Sequence, residues 1–413
     1  MALKMTKQET AGGVKSTALS LILLMGLVSA FGDIVYESAR SVSGPYLSLL
    51  GASAVVVGSV SGLGEFLGYG LRLVSGYLAD RTRAYWVATF IGYGMILCIP
   101  LLAFAGRWEV AAGLLILERI GKAVRSPARD TILSHAAHQT GRGWGFAIHE
   151  FLDQMGAIVG PLILSAAFVV NGNYRTGFNW LWLPAILVIA FLIFARWRVP
   201  QPEALESQPA VRSNAKQKAG FPVTFWSYAI FTFLSVAGFA SFQLLSFHWL
   251  NQKLVSPGWI PVLYAGAMGV DALAALAVGK LYDRFGLTSL ILVPFLTIWI
   301  PLVGFSRQIG WIVVSVILWG LVMAIHETTM RAAIADIAQI EKRGTGYGVF
   351  NTLYGGAWFV GGSLMGWMYQ SAFWALPVLV VVMEALAVWV FIILRRQLRA
   401  EKNPRGEESA QDV

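Results

Sequence analysis

Gly76-Tyr77-Leu78-Ala79-Asp80-Arg81 and Gly279-Lys280-Leu281-Tyr282-Asp283-Arg284 carry one pattern written twice, 203 positions apart. Two further pairs repeat at nearly that offset. Arg125 and Asp130 have the spacing of Arg331 and Asp336, 206 positions later, and Arg142-Gly143-Trp144-Gly145-Phe146 matches Arg343-Gly344-Thr345-Gly346-Tyr347, 201 positions later. Three matches in one order mark an internal duplication. Each match sits at the end of a long apolar run, so the duplicated unit is a set of membrane helices, the arrangement of carriers that rock one half against the other.

The rest of the chain supports that reading. Of 413 residues, 57% are hydrophobic and 13% charged, against about 45–50% and about 25% in soluble proteins. A soluble globular enzyme is excluded. A bilayer core of about 30 Å takes about 20 apolar residues to cross. Apolar runs fall at 17–42, 52–76, 85–105, 109–126, 143–170, 178–196, 223–248, 259–280, 288–306, 310–335, 345–369 and 373–394, which predicts an all-α membrane protein of twelve spans. The expected organisation is a six-helix bundle over 1–197, a linker over 198–222, a second six-helix bundle over 223–394 and a tail over 395–413. The first run follows Lys4, Lys7 and Lys15 and continues past Val28-Ser29-Ala30, so it reads as a membrane helix rather than a cleaved export signal.

With the N-terminus placed in the cytoplasm, inner loops and tails hold 24 of the 31 basic residues and outer loops hold five: Arg40, Arg107, Arg175, Lys253 and Arg307. Basic loops stay inside, so both termini and the linker are expected in the cytoplasm of a cell whose plasma or inner membrane the protein spans. Because these charges are scattered between apolar runs and form no patch, nucleic acid is not an expected partner. The lone Cys98 lies in an apolar run and reads as a small buried hydrophobe.

The repeated Gly76, Asp80, Arg81 and Gly279, Asp283, Arg284, with Pro45-Tyr46-Leu47 ahead of Leu50-Gly51-Ala52-Ser53, resemble the major facilitator superfamily over essentially the whole chain; no subfamily is assigned. That loop signature has a second Gly, which Gly286 supplies in the second copy and Arg83 replaces in the first, where Ala84 and Tyr85 also stand in place of charges. The resemblance implies two pseudo-symmetric bundles, transport rather than catalysis, and a conformational gate at the repeated loops. Physically, Gly76 permits close helix contact, while Asp80 and Arg81 can bridge neighbouring helix ends. Gly156-Ala157-Ile158-Val159-Gly160-Pro161 resembles the core of the antiporter signature of exporters in this superfamily. Small residues four apart also serve plain helix packing, as expected for Gly58 with Gly62 and Gly64 with Gly68, so both readings of Gly156, Gly160 and Pro161 stand.

Ionisable residues at membrane depth are functional candidates, because each is unfavourable there unless paired or facing water. The pathway candidates for protons and substrate are Asp33, Glu37, Glu65, Arg72, Glu118, Arg119, His149, Glu150, Asp153, Asp271, His326 and Glu327, with Glu384 and Arg331 also at membrane depth. Glu37 with Arg40, and Glu118 with Lys122, have the spacing of pairs on one helix face. Glu65 and Arg72 share a face two turns apart. Arg72 and Arg119 either attract an anionic substrate group or neutralise Glu65 and Glu118. Asp33 has no basic residue within a turn, and burial disfavours the ionised form of such a carboxylate, the property a proton carrier needs. Tyr354 and Trp358 are candidates to line an aromatic cavity.

These residues predict a monomeric secondary transporter of a small molecule, proton-coupled, working by alternating access, with export favoured over uptake. Its partners are substrate, protons and lipid. No nucleotide motif is present and no cofactor or metal is expected. The competing readings are a membrane sensor on a transporter scaffold and a metal-dependent intramembrane hydrolase, the latter from His149-Glu150 with Asp153 where a second His would stand.

Overall fold

The computed structural model describes residues 7–140, 142–205, 220–337 and 343–402, and every regular element among them is helical. Outside the described residues lie most of the expected linker (206–219), the end of the expected tail (403–413) and Met1. The side chains of Arg142, Arg331 and Arg343, parts of two repeated pairs, also lie outside them.

The first half runs α1 (Lys7–Leu49), α2 (Ala54–Thr82), α3 (Tyr85–Gly94) with a 3-10 continuation to Phe104, α4 (Trp108–Thr140), α5 (Arg142–Asn171), α6 (Tyr174–Trp180) and α7 (Trp182–Arg198). The second runs α8 (Val223–Ala237), α9 (Phe242–Asn251), α10 (Ile260–Phe285), α11 (Leu292–Gly304), α12 (Ile309–Ala324), α13 (Met330–Ile337), α14 (Arg343–Ser371) and α15 (Leu376–Lys402). The expected apolar runs fall largely on helical backbone, the run 223–248 being broken at 238–241, and α15 carries helix into the expected tail.

Among the described residues, nine helical segments are long and apolar enough to cross a membrane; one of them, Pro257–Gly304, is 48 residues long and covers two expected runs. The helices α4 and α14 have comparable lengths but lie outside those nine. Glu118, Arg119, Lys122, Arg125, Arg129 and Asp130 make α4 too charged, and its polar groups are satisfied by neighbours in the fold. Glycine lowers the apolarity of α14 and lets other backbones come close.

By contacts the chain forms two compact units. The first comprises 1–52, 67–212 and 255–268; the second comprises 53–66, 213–254 and 269–413. In the first, α5 lies directly on α1: a Cβ on Gly156 would stand 2.3 Å from the Ala30 carbonyl oxygen, and one on Gly160 2.3 Å from that of Ile34. These two glycines therefore act in packing, whatever else they do. In the second unit, residues 54–66 of α2 lie on α14, where a Cβ on Gly62 would stand 2.5 Å from Trp358 O and one on Gly366 2.5 Å from Ala54 O. The expected packing role of Gly58 holds, its neighbour being Gly362.

Two irregularities interrupt the second unit. Helices α8 and α9 are separated at Gly238–Ser241, where Ser241 accepts from the Leu244 amide at 3.2 Å and caps α9. Residues Ile325–Thr329 form a π turn between α12 and α13, a distortion frequent at functional sites. The repeated loops also match in backbone: Arg83 has φ 55° and Gly286 has φ 56°.

Candidate functional site

Three helices of the first unit line up their polar residues by helical periodicity. On α1 these are Ser29, Asp33, Tyr36, Glu37 and Arg40; on α4, Glu118, Lys122, Arg125 and Arg129; on α5, His149 and Asp153. Spacings of three and four keep each set on one face. The faces meet, and the polar groups form a chain through the unit.

At one end the Ser29 hydroxyl is the hub. Arg129 donates to Ser29 Oγ at 3.0 Å, His149 Nε2 lies 2.8 Å from it and the Tyr93 hydroxyl 3.0 Å. Arg129 is held in turn by Asp130 at 2.9 Å. Next along α1, Asp33 is in electrostatic reach of Lys122, Arg125 and Arg129 of α4 and of Asp153 of α5. The basic charges absent from its own helix thus arrive from another. Asp153 Oδ1 is buried with no hydrogen-bond partner among the described residues. Beyond Asp33, Tyr36 carries two cations: Lys122 Nζ stands 3.8 Å from the ring centroid, and Arg119, 4.5 Å from it, donates to the hydroxyl. At the far end Glu37 lies 3.6 Å from Arg40 and accepts from the Tyr264 hydroxyl at 2.5 Å.

The expected pair of Glu37 with Arg40 is present. The expected pair of Glu118 with Lys122 is not: Glu118 bonds Arg125 at 3.0 Å, both nearly fully buried. Seven residues are two turns, so Arg125 returns to the Glu118 face, while Lys122 is drawn to the Tyr36 ring. Arg119 sits on Tyr36. Arg72 donates to Gly68 O at 3.0 Å and lies over Tyr69. Glu65 is buried and belongs to the 53–66 segment of the second unit, whereas Arg72 belongs to the first. His149 is buried and Glu150 exposed, and among the described residues no three His, Cys, Asp or Glu are grouped to hold a metal ion.

In the second unit His326 stands in the π turn, 3.4 Å from the Tyr354 hydroxyl through Nδ1. Phe239, in the gap between α8 and α9, packs against His326, Trp319 and Trp358 with centroids 5.1–5.6 Å apart. Tyr354 and Trp358 therefore do share one aromatic cluster, and both are buried. Asp271 is buried and Glu327 half-buried. Glu384 is fully buried and accepts from Ser235 at 3.1 Å.

At the first repeated loop, Gly76 faces Pro127, Asp80 accepts from the Tyr85 hydroxyl at 3.3 Å, and Arg81 donates to the Tyr77 hydroxyl at 3.3 Å. At the second, Gly279 has open space beside it, Arg284 lies over Phe285, Asp283 is exposed, and Tyr282 donates to Asp336 at 2.6 Å. Sequence reasoning missed the tyrosines. Tyr36, Tyr93 and Tyr264 read as ordinary apolar bulk, and only their place in register with acids and bases marks them. It also left Arg125 and Arg129 in the cytoplasmic count, although α4 runs on to Thr140 and carries both, with Lys122, into the polar chain.

The pattern of the Major Facilitator Superfamily matches residues 16–362 and 250–412. An uncharacterised protein of Mycobacterium tuberculosis is 43% identical over 383 residues, covering 92% of this chain and 94% of its own. An MFS-type transporter of Methanocaldococcus jannaschii is 25% identical over 349 residues, covering 81% and 84%. Among solved structures, a POT family transporter in complex with a thioalcohol-conjugated peptide superposes with a TM-score of 0.70 at 14% identity, covering 92% of this chain and 96% of the other, a likeness of fold.

Proposed function

The chain belongs to the Major Facilitator Superfamily and is a multi-pass membrane transporter of a small molecule rather than an enzyme, and from that premise we propose that it couples transport to protons through Asp33 and Asp153, by alternating access. The observation that carries the reading is the buried Oδ1 of Asp153, without a hydrogen-bond partner among the described residues, in electrostatic reach of Asp33, with Lys122 and Arg129 in reach of both acids. A proton on Asp33 removes the countercharge of Lys122; its departure restores it. Proton occupancy thereby changes which cations of α4 are compensated, and a state that compensates them differently binds the proton with different affinity.

Arg119 and Lys122 on the Tyr36 ring suit an organic substrate with an anionic group, since an aromatic face and two cations complement its two ends. Export is favoured by the resemblance at Gly156 to Pro161. Both termini and the linker lie in the cytoplasm, on the distribution of basic loops, and the protein works in the cell membrane as a monomer.

The test is a substrate screen in proteoliposomes with an imposed pH gradient, followed by the Asp33→Asn, Asp153→Asn double variant. The double variant is expected to lose gradient-driven accumulation and keep exchange without a gradient. Normal accumulation in the double variant would overturn coupling through these acids.

A further inference from the structure

Glu384 lies well inside the span Phe373–Ala400, is fully buried, and takes no part in the polar chain of α1, α4 and α5. Its Oε2 accepts from Ser235 of α8 at 3.1 Å, and its Oε1 is buried with no hydrogen-bond partner among the described residues. No charged side chain among them is in electrostatic reach of it. Of the helices packed against α15, α11 carries no ionisable residue, α8 carries only Tyr228, which donates to Met330 O at 2.6 Å, and α14 from 345 onward carries only tyrosines. The first arginine of α15 itself, Arg395, stands eleven residues on, about 16 Å along the helix. A carboxyl buried without a countercharge keeps its proton, because the bare anion would be uncompensated.

The place of Glu384 gives that proton a use. Its carboxyl lies against the gap between α8 and α9: a Cβ on Gly238 would collide with Oε1. The same close approach excludes a metal cation, whose shell of oxygen ligands needs room that the Gly238 backbone fills. On α14, a Cβ on Gly361 would collide with the Ala237 carbonyl oxygen. The end of α8 is thus held by backbone contact with α14 and by the carboxyl of α15, while Gly238–Ser241 interrupts the helix ahead of α9, the form a hinge takes. Phe239, the next residue of the gap, packs on His326 in the π turn, and His248 of α9 is held by Tyr369 at 2.8 Å.

We propose that Glu384 is a proton-binding site of the second unit: it keeps its proton while the gap between α8 and α9 is closed on it, and gives that proton to water when the gap opens. The proton therefore locks the gap. Its use in the transport cycle rests on the proton-coupled reading, to which it adds a carboxyl of the other unit.

The test is hydrogen exchange of peptides spanning 234–245, read by mass spectrometry on the full-length protein in nanodiscs and corrected for the intrinsic rate. In wild type, opening of this segment is expected to increase as pH rises above the ordinary carboxylate range of about 4, approaching tenfold per pH unit where one proton leaves on opening. Glu384→Gln imitates the protonated acid and still offers Ser235 an acceptor, so it is expected to fold and to stay closed at every pH. Protonation of His326 or His248 would loosen the gap as pH falls, so the sign of the profile separates them from Glu384. The Asp33→Asn, Asp153→Asn double variant is expected to keep the wild-type profile, which leaves this site standing even where coupling through those two acids fails. Infrared spectra give a second readout: a carboxylic-acid carbonyl band at neutral pH, present in wild type and missing in Glu384→Gln. A flat or inverted wild-type profile would make Glu384 a purely structural acid and overturn the proposal, as would an equal slope in Glu384→Gln or the absence of that band.

Discussion

Tyr264 gives its hydroxyl hydrogen to Glu37 Oε2 over 2.5 Å, joining residues 227 positions apart. With Arg40 on its other oxygen, Glu37 is fixed on both sides, whereas Asp153 keeps a bare one. Tyr264→Phe should therefore act mainly on stability, by about 1–3 kcal/mol for a hydrogen bond to a buried charged group. Glu37→Gln still offers Tyr264 an acceptor and should disturb pH-driven accumulation less than Asp33→Asn. Thermal unfolding and vesicle accumulation, measured on the same preparations, check both; a Glu37→Gln carrier without accumulation would make Glu37 a proton carrier.

The buried pair of Glu118 and Arg125 is expected to behave as a unit. Arg125→Leu leaves a carboxylate stranded and should destabilise by about 3–5 kcal/mol. The double Glu118→Gln, Arg125→Leu should recover much of that loss relative to Arg125→Leu alone. Thermal denaturation of the two singles and the double decides it, since simple additivity would mean the two side chains act separately.

Two glycines should respond in opposite ways. On Gly156 a methyl group meets the backbone of α1 at 2.3 Å, so Gly156→Ala should sharply reduce folded yield by size-exclusion chromatography. On Gly279 it meets nothing within 4 Å among the described residues, so Gly279→Ala should be neutral or stabilising by about 0.5–1 kcal/mol through helix propensity. Loss of folded protein in the second variant would show a packed partner for Gly279 in another state of the cycle.

Asp80→Asn and Asp283→Asn are expected to slow turnover severalfold while leaving substrate affinity close to wild type, because both acids sit at the repeated loops and neither is among the residues of the polar chain of α1, α4 and α5. Asparagine can still accept from Tyr85 at position 80, so the comparison isolates the charge. Weak binding with normal cycling in both variants would remove them from any conformational role.

Helical class, duplication and family were legible because each rests on many residues: apolar run length, repeat order and the Gly-Asp-Arg loop. The pair of Glu37 and Arg40 was legible because it is local to one turn. What was not legible depends on contacts between helices. Spacing alone gives Glu118 two candidates, Lys122 and Arg125, and only the Tyr36 ring across from α4 draws Lys122 away. Asp33 looked uncompensated because its cations lie about ninety residues further along the chain. The π turn at His326 left no mark in composition, and the left-handed Arg83 was visible only as a departure from the second repeat.

The first compact unit includes residues 255–268, which reach it through Tyr264 to Glu37, Ser165 to Gly258 at 2.8 Å, Tyr174 to Pro257 at 2.8 Å and Gln154 to Met268 at 3.1 Å. During synthesis this unit stays incomplete long after its own α1 has emerged. At about 5–20 residues per second, the 227 residues between Glu37 and Tyr264 take on the order of 10–45 s to translate. For that interval a carboxylate that ends up buried lacks the Tyr264 hydroxyl, and the nascent helices α1, α4 and α5 await a closing segment encoded beyond the midpoint of the message. Synonymous slowing of translation before residue 268 would prolong that exposed stage without altering a single amino acid.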